Sequence, residues 1–171
     1  QALALDPSNT STLYNLANCH FNAGEFNKSI SVCQNIIILD QSFYHAYNRI
    51  GLCYIQLENE EQAIDFFKKS IKIKPDYLEG LTNYGFALQK LKNYSLAAVQ
   101  FEKVLSLDSG NVEAFVNLTK VYFEDGSILK AIEVARRGLL YSPKNVPILK
   151  NLVSSLTILN RLDEALEACK E

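Results

Sequence analysis

The sequence predicts an all-α protein built from stacked antiparallel helix pairs. Two observations support this prediction: a 34-residue period, and apolar residues at helical spacing within each period. In rows that begin at positions 10, 44, 78, 112 and 146, the eighth residue is mostly small and the twentieth is alanine in four rows of five. The eighth column contains Ala17, Gly51, Gly85, Thr119 and Val153, and the twentieth contains Ser29, Ala63, Ala97, Ala131 and Ala165. Such an array places function on an extended surface rather than in a catalytic pocket.

The second row shows why each row should contain two helices. Tyr47, Ile50 and Tyr54 recur at i, i+3 and i+7, which is one face of a first helix. A polar break at 58–61 follows, and a second apolar stripe then runs until Pro75 stops it. The acidic residues of the break are expected near the start of the second helix, where the helix dipole favours them. Because small residues occupy the eighth and twentieth columns, we expect the two helices of a pair to touch there.

The register also predicts the organisation of the whole chain. The predicted segments are 1–9 as the end of a preceding repeat, 10–43, 44–77, 78–111, 112–145, and a truncated fifth repeat at 146–171. A chain that starts and stops within a repeat is expected to be a segment of a longer protein.

The row pattern resembles the tetratricopeptide repeat. The second row supplies the residues of that pattern: Tyr47, Ile50, Gly51, Tyr54, Ala63, Phe67 and Pro75. Thr119 and Val153 depart from it, because they are bulkier than the usual glycine or alanine. The resemblance implies a right-handed α-solenoid whose concave inner surface binds an extended peptide segment of a partner protein.

Charge and composition exclude several other functions. With 17 basic and 19 acidic residues the net charge is -2, so no nucleic-acid partner is expected. No apolar run approaches the ~20 residues of a spanning helix, so no membrane insertion is expected. There is no phosphate loop or nucleophile motif, so this segment is predicted to have no catalytic residues and no cofactor.

The cysteines predict an intracellular setting. There are four cysteines and two histidines, and no Cys-x-x-Cys pair, so no metal site is expected. Cys19 and Cys53 share the tenth column, and Cys33 and Cys169 share the twenty-fourth. All four are predicted to be buried free thiols, which favours a reducing compartment, namely the cytoplasm.

The sixth column is the strongest candidate for function. It contains Asn15, Arg49, Asn83, Asn117 and Asn151. Asparagine is a poor residue for a helix interior, and its amide offers both a donor and an acceptor to a peptide main chain. The column resembles the asparagine ladder that grips protein substrates in O-GlcNAc transferases, which implies that role for its four asparagines. Two alternatives stay open: the side chains are simply solvated, or they bond across to the next helix.

Neighbouring columns complete the predicted partner-binding surface. Its aromatic, polar and charged members are Tyr14, Asn18, Phe21, His45, Phe86, Lys120, Phe123 and Lys150. For the aromatic residues, bracing of adjacent helices is an equally open interpretation. A chaperone-type clamp for a terminal carboxylate is not favoured, because two of its lysines are missing and Glu79 would repel the carboxylate.

The sequence leaves three functions open. The first is a scaffold that binds an extended peptide segment of a protein partner. The second is the substrate-recruiting arm of a larger enzyme such as an O-GlcNAc-transferase-like glycosyltransferase. The third is an architectural subunit that forms a homo-oligomer or joins a large complex.

Overall fold

The computed structural model of the protein describes residues 9–169. Within this range the chain forms helices packed as sequential antiparallel pairs, so the predicted all-α fold of helix pairs is confirmed. The helices are α1 (Thr10–Asn22), α2 (Phe26–Leu39), α3 (Tyr44–Gln56), α4 (Glu60–Ile73), α5 (Leu78–Lys90), α6 (Tyr94–Leu107), α7 (Val112–Glu124), α8 (Ile128–Tyr141), α9 (Val146–Ile158) and α10 (Leu162–Ala168). The proposed segment at 1–9 lies, apart from its last residue, outside the described residues.

The chain divides into two compact units, Gln1–Ala87 and Leu88–Glu171, and the boundary falls within α5. They are called the N-terminal and the C-terminal unit. In both, the odd-numbered helices are the first helices of the pairs and the even-numbered ones are the second.

The tight contact inside a pair of the N-terminal unit lies between Gly51 of α3 and Phe67 of α4. A Cβ atom on Gly51 would lie 2.5 Å from Cε1 of Phe67, closer than two carbon atoms can approach. Phe67 is fully buried, so its ring has little room to withdraw. This contact is the physical reason for a small residue in the eighth column.

One buried cluster of the N-terminal unit spans α1, α2 and α3. Its buried members are Leu13, Ala17, Ile30, Cys33, Ile36, Ala46, Ile50 and Cys53. Ser29 occupies the twentieth column, and its hydroxyl donates a 2.9 Å hydrogen bond to the carbonyl of Ala17. The serine is therefore accommodated where the other rows have alanine, because its buried oxygen has a partner.

The C-terminal unit has a close glycine contact at other columns of the repeat. Its largest fully buried side chains are Phe101, Phe115, Leu118, Val121, Ile148 and Leu156. A Cβ atom on Gly138 would lie 2.8 Å from Cβ of Phe115, so α8 can approach α7 only because residue 138 is glycine. Thr119 is fully buried, and its Oγ1 has no hydrogen-bond partner among the described residues.

Helix starts and turns follow from the local sequence. Four helices begin with an asparagine cap whose side chain accepts from a backbone N–H: Asn9, Asn59, Asn111 and Asn145. Glu60 and Glu61 lie in the first turn of α4, as the dipole argument predicts. The turn inside every pair has a positive φ at its fifteenth column, at Gly24, Glu58, Lys92, Gly126 and Asn160.

The prediction that all four cysteines are buried is wrong for two of them. Cys33 and Cys53 are buried, whereas Cys19 and Cys169 are exposed. Cys53 is covered because α2 packs against α3; among residues 9–169 no helix precedes α1 to cover Cys19 in the same way. Cys169 is the C-cap of α10, and no described helix follows it.

None of the helices described between residues 9 and 169 is long and apolar enough to cross a membrane.

Candidate functional site

The first-helix face of the N-terminal unit carries most of the predicted binding residues. It consists of the outward side chains Tyr14, Asn15, Asn18, Phe21, His45, Arg49, Glu79, Asn83 and Phe86. They stand on α1, α3 and the part of α5 up to Ala87. Because residues three or four apart share one side of a helix, Tyr14, Asn18 and Phe21 form a single stripe along α1.

Arg49 lies across this stripe. Its Cζ atom is 4.6 Å from the ring centroid of Phe21 and 5.8 Å from that of Tyr14, which is cation–π geometry. Burial raises the pKa of the Tyr14 phenol, and the adjacent Arg49 cation opposes that shift only in part. Arg49 interrupts the asparagines of the sixth column, and in the structure it lies between two aromatic rings of the preceding first helix.

Two polar atoms on this face are shielded from solvent and lack a partner. They are Nε of Arg49 and Oδ1 of Asn18, and neither has a hydrogen bond within the described chain. None of the ion pairs among residues 9–169 includes Arg49. The guanidinium is therefore held by aromatic rings, with no carboxylate to neutralise it.

A second group of side chains joins α3 to the start of α5. The Tyr77 hydroxyl donates to Oε2 of Glu79 at 2.8 Å, and Nδ2 of Asn48 donates to Oε1 of Glu79 at 3.1 Å. Asn83 in turn donates from Nδ2 to Oδ1 of Asn48 at 3.1 Å. Burial, assisted by the Glu79 carboxylate, raises the pKa of the Tyr77 phenol, so this hydroxyl keeps its proton and acts as a donor.

Asn83 therefore follows one of the two alternatives left open by the sequence, the bond across to the next first helix. The sequence did not predict Asn48 as a site residue, because it stands in the fifth column and not in the asparagine-rich sixth column. It is only 1% exposed, and a buried asparagine needs partners. The sequence does contain one indication of this role: Asn48 is a polar residue on a helix face that packs against aromatic residues.

His45 lies within a cluster of rings and is not a cationic site. Its ring centroid is 4.1 Å from that of Tyr44, 5.2 Å from that of Tyr77 and 5.8 Å from that of Tyr14. Burial lowers the pKa of the imidazole, and the Glu79 carboxylate opposes this shift. The ring is consequently neutral near pH 7, and its Nδ1 lies 3.4 Å from the Tyr77 hydroxyl.

The remaining predicted residues of this face are open to solvent. Asn15 is exposed, and none of the hydrogen bonds among the described residues uses its side chain. Phe86 is 38% exposed at the other end of the face. Both are accessible to a ligand that lies along the first helices.

The C-terminal unit contains the other predicted residues on α7 and α9. Asn117 and Asn151 are half-buried, and no hydrogen bond among residues 9–169 involves either side-chain amide. Lys120 lies 3.8 Å from the Glu124 carboxylate, an exposed pair one helical turn apart, and Lys150 is exposed. Phe123 is half-buried at the end of α7.

The C-terminal unit also has two clefts between second helices, which the sequence did not suggest. The larger, about 390 Å³, lies between α6 and α8, and its rim includes Glu102, Tyr122 and Lys130. The smaller, about 300 Å³, lies between α8 and α10 and has Arg136 and Glu164 on its rim. Their lining residues correspond at an offset of 34, so the clefts are a property of the repeat.

Each cleft contains one paired polar group on its rim. The Tyr122 hydroxyl donates to Glu102, and Arg136 forms an ion pair with Glu164. Burial, with help from the Glu102 carboxylate, raises the pKa of the Tyr122 phenol.

Comparison with known proteins identifies two of these helix pairs. Residues 44–77 and residues 78–111 each match the tetratricopeptide repeat. Residues 44–111 therefore consist of two tetratricopeptide repeats. Such repeat proteins generally mediate protein–protein interactions, and the repeats themselves are typically not catalytic.

Curated relatives of these repeats are much longer proteins. The chloroplastic tetratricopeptide repeat protein PYG7 of Arabidopsis thaliana is 33% identical over 72 residues, which is 42% of this chain and 24% of that protein. Superkiller protein 3 of Schizosaccharomyces pombe is 27% identical over 150 residues, 82% of this chain and 11% of that protein. The chain thus spans a quarter or less of the length of these relatives.

Solved structures of other tetratricopeptide repeat proteins share the fold. MamA from Desulfovibrio magneticus RS-1 superposes with a TM-score of 0.85 at 18% identity and covers 94% of this chain and 91% of its own. YrrB, a tetratricopeptide repeat protein with an unusual peptide-binding site, gives 0.81 at 20% identity over 98% of this chain and 86% of its own. At these identities the likeness shows the fold alone, and it does not single out the O-GlcNAc transferases.

Proposed function

We propose that this chain is a protein-interaction module that holds an extended segment of a partner protein on the first-helix face of its N-terminal unit. The ligand lies across α1, α3 and the start of α5. Side-chain amides bind its main chain, and the aromatic residues of the face contact its side chains.

The observation that carries this proposal is the pair of shielded polar atoms without partners, Oδ1 of Asn18 and Nε of Arg49. A shielded polar group without a hydrogen bond costs about 1–3 kcal/mol. A peptide reaches these two atoms when the Asn18 and Arg49 side chains turn toward it, and it then offers a main-chain N–H for the Asn18 oxygen and a carbonyl for the Arg49 donor. Binding then recovers free energy that folding alone leaves unused.

The magnitudes show that amide contacts alone are insufficient. Three main-chain hydrogen bonds from Asn15, Asn18 and Asn83 supply roughly 1.5–4.5 kcal/mol at 0.5–1.5 kcal/mol each. Micromolar affinity needs about 8 kcal/mol. The difference must come from apolar and charged contacts, for which Phe86 and Arg49 are the accessible groups on this face. The peptide-binding site of YrrB, a protein of the same fold, is consistent with such a use of tetratricopeptide repeats.

Selection from a displayed library of random 12-residue peptides tests the proposal. We expect the protein to enrich peptides, and the variant Asn15→Ala plus Asn18→Ala to bind a selected synthetic peptide at least about tenfold more weakly in fluorescence anisotropy, since about 1.4 kcal/mol is lost. The matched control is Asn27→Ala plus Asn35→Ala, which removes two exposed asparagines from α2. If no peptide is enriched, or if both double variants bind like the parent, the proposed function is wrong.

A second candidate is the recruiting arm of a longer protein, which includes an O-GlcNAc-transferase-like enzyme. Two observations favour it: the asparagines of the sixth column, and the much greater length of the curated relatives. Sequencing the gene on both sides of the present chain is the direct test. A catalytic domain in the same reading frame supports the arm, and a reading frame without one contradicts it.

Self-association is tested separately by light scattering over a range of protein concentrations. The interaction module predicts a mass of one chain at all of them. A mass that rises to two chains or more favours the architectural subunit instead.

A further inference from the structure

Two charges on the first-helix face of the N-terminal unit form no ion pair. Arg49 takes part in none of the ion pairs among residues 9–169, and the same holds for Glu79. Arg49 is half-buried, where an unpaired charge is costly, and Glu79 is exposed, where a ligand can reach its carboxylate. An unpaired charge of each sign on one binding face indicates a ligand that carries both complementary charges.

Both charged groups are held in place before a ligand arrives. The Arg49 guanidinium lies against the rings of Phe21 and Tyr14. The Glu79 carboxylate accepts from the Tyr77 hydroxyl and from Nδ2 of Asn48, which fixes both of its oxygen atoms. Side chains fixed in this way lose little conformational entropy on binding.

The two groups also belong to one electrostatic environment. The Arg49 cation lowers the pKa of the Tyr14 phenol, whereas the Glu79 carboxylate raises it, so both lie within electrostatic range of the same ring. His45, between them, is neutral near pH 7 because burial lowers the pKa of its imidazole. No third charge on this part of the face cancels either of the two.

We propose that the first-helix face of the N-terminal unit recognises a segment with two opposite charges, in which Arg49 binds an acidic side chain and Glu79 binds a basic one. This inference rests on the proposed function, since it names the chemistry of the segment that the face holds. It differs from recognition of a chain-terminal carboxylate, because both charges stand on side chains within the segment.

The spacing of the two ligand charges follows from the helix geometry. Packed helices stand about 8–10 Å apart, and Arg49 and Glu79 stand on α3 and α5 at the sixth and second columns. Four helical residues add about 6 Å along the axis. An extended chain advances about 3.3–3.6 Å per residue, so the acidic and basic residues are expected about two to four positions apart.

The experiment uses the random 12-residue displayed library and four variants of the protein. Arg49→Gln and Glu79→Gln each remove one of the two charges. Their matched controls are Arg137→Gln and Glu61→Gln, which neutralise exposed charges on second helices. Peptides selected by the parent and by both controls are expected to share an acidic and a basic residue two to four positions apart. Arg49→Gln loses the acidic preference, and Glu79→Gln loses the basic one.

A double-mutant cycle in fluorescence anisotropy then measures each charge pair on one selected peptide. Replacing its acidic residue by the amide is expected to weaken binding to the parent about tenfold, because Arg49 is half-buried. Replacing its basic residue by glutamine costs about threefold, because Glu79 is exposed. Replacing the acidic residue of the peptide does not change its affinity for the Arg49→Gln variant, and replacing the basic residue does not change its affinity for the Glu79→Gln variant.

The outcomes separate this inference from the proposed function. If peptides are selected but lack the charge pair, or if each replacement weakens binding to the parent and the variants equally, the two-charge recognition is wrong and peptide binding stands. If the library yields no binding peptide at all, the proposed function fails, and the inference fails with it.

Discussion

Nδ2 of Asn83 donates a 3.1 Å hydrogen bond to Oδ1 of the buried Asn48, so a side chain expected to face a ligand also joins two first helices. Asn48 extends this hydrogen-bond network, since its own Nδ2 bonds Glu79 at 3.1 Å and lies 3.3 Å from the Tyr77 hydroxyl. The face proposed for binding is therefore partly built by the same residues that stabilise the stack.

Asn48→Ala is expected to lower the free energy of unfolding by about 1–3 kcal/mol. The substitution removes hydrogen bonds at a site that is 1% exposed and leaves Asn83 and Tyr77 with fewer partners. Urea denaturation followed by circular dichroism measures the change. Asn15→Ala, on the exposed part of α1, is the control and should stay within about 0.5 kcal/mol of the parent. Equal stability of the two variants would contradict a structural role for Asn48.

The fold was predictable because small residues recur every 34 positions, in the eighth and twentieth columns. Gly51 stands against Phe67 with no space for a Cβ atom, and in the first row Ser29 of the twentieth column bonds the carbonyl of Ala17 of the eighth. The Asn48 interaction was not predictable in the same way. It depends on the side-chain rotamers of residues on two adjacent first helices. The repeat pattern does not specify these rotamers, because the fifth column has an asparagine in one row only, at position 48.

Burial of the cysteines shows a second limit of the register. Cys19 and Cys53 occupy the same column, but only Cys53 is buried. A column specifies the side of its helix on which a residue lies, whereas burial also depends on the helices that pack against that side. The register therefore predicted the core of the described repeats better than the exposure of residues at either end of the described range.

Glu58→Gly is expected to stabilise the protein by about 0.5–1 kcal/mol. Glu58 has a φ of 56°, and the corresponding turn residue in the first pair is a glycine with a φ of 76°. A side chain costs free energy in this left-handed conformation, and glycine relieves that cost, although it gains entropy in the unfolded chain. Thermal melting and urea denaturation give the difference.

The matched control for the turn is Glu61→Gly, the same substitution in the first turn of α4. Glycine in a helix costs about 0.5–1 kcal/mol, so this variant should lose stability. If both variants lose stability equally, the left-handed turn conformation is not the cause of the predicted gain.

Thiol labelling of the native chain is expected to modify two of the four cysteines and to leave the other two unmodified. Cys19 and Cys169 are exposed and should react with iodoacetamide within minutes at pH 8. Cys33 and Cys53 are buried, and burial raises the pKa of the Cys33 thiol to about 12, so almost no thiolate forms. Mass spectrometry should show two added groups in the native protein and four in urea. Rapid addition of three or four groups to the native protein would contradict the packing of α2 against α3.

The asparagines of the C-terminal unit provide the cleanest test of a ligand role for the sixth column. Asn83 bonds Asn48, so its replacement would change the stability of the protein as well as its binding. Asn117 and Asn151 use their side-chain amides in no hydrogen bond among the described residues, and both are half-buried. Asn117→Ala plus Asn151→Ala should therefore leave the melting temperature within about 2–4 °C of the parent, since surface changes of this kind stay near 0.5 kcal/mol each.

The same double variant should weaken binding of a selected peptide that contacts the C-terminal unit by about tenfold, as expected for two lost hydrogen bonds of 0.5–1.5 kcal/mol. The peptide used is one whose binding survives Asn15→Ala plus Asn18→Ala, so that its contacts do not depend on the first-helix face of the N-terminal unit. The control is Lys150→Gln, which removes an exposed charge next to Asn151 without removing an amide. Unchanged affinity of the double variant, together with unchanged stability, would assign Asn117 and Asn151 to the solvated alternative and restrict ligand contacts to the N-terminal unit.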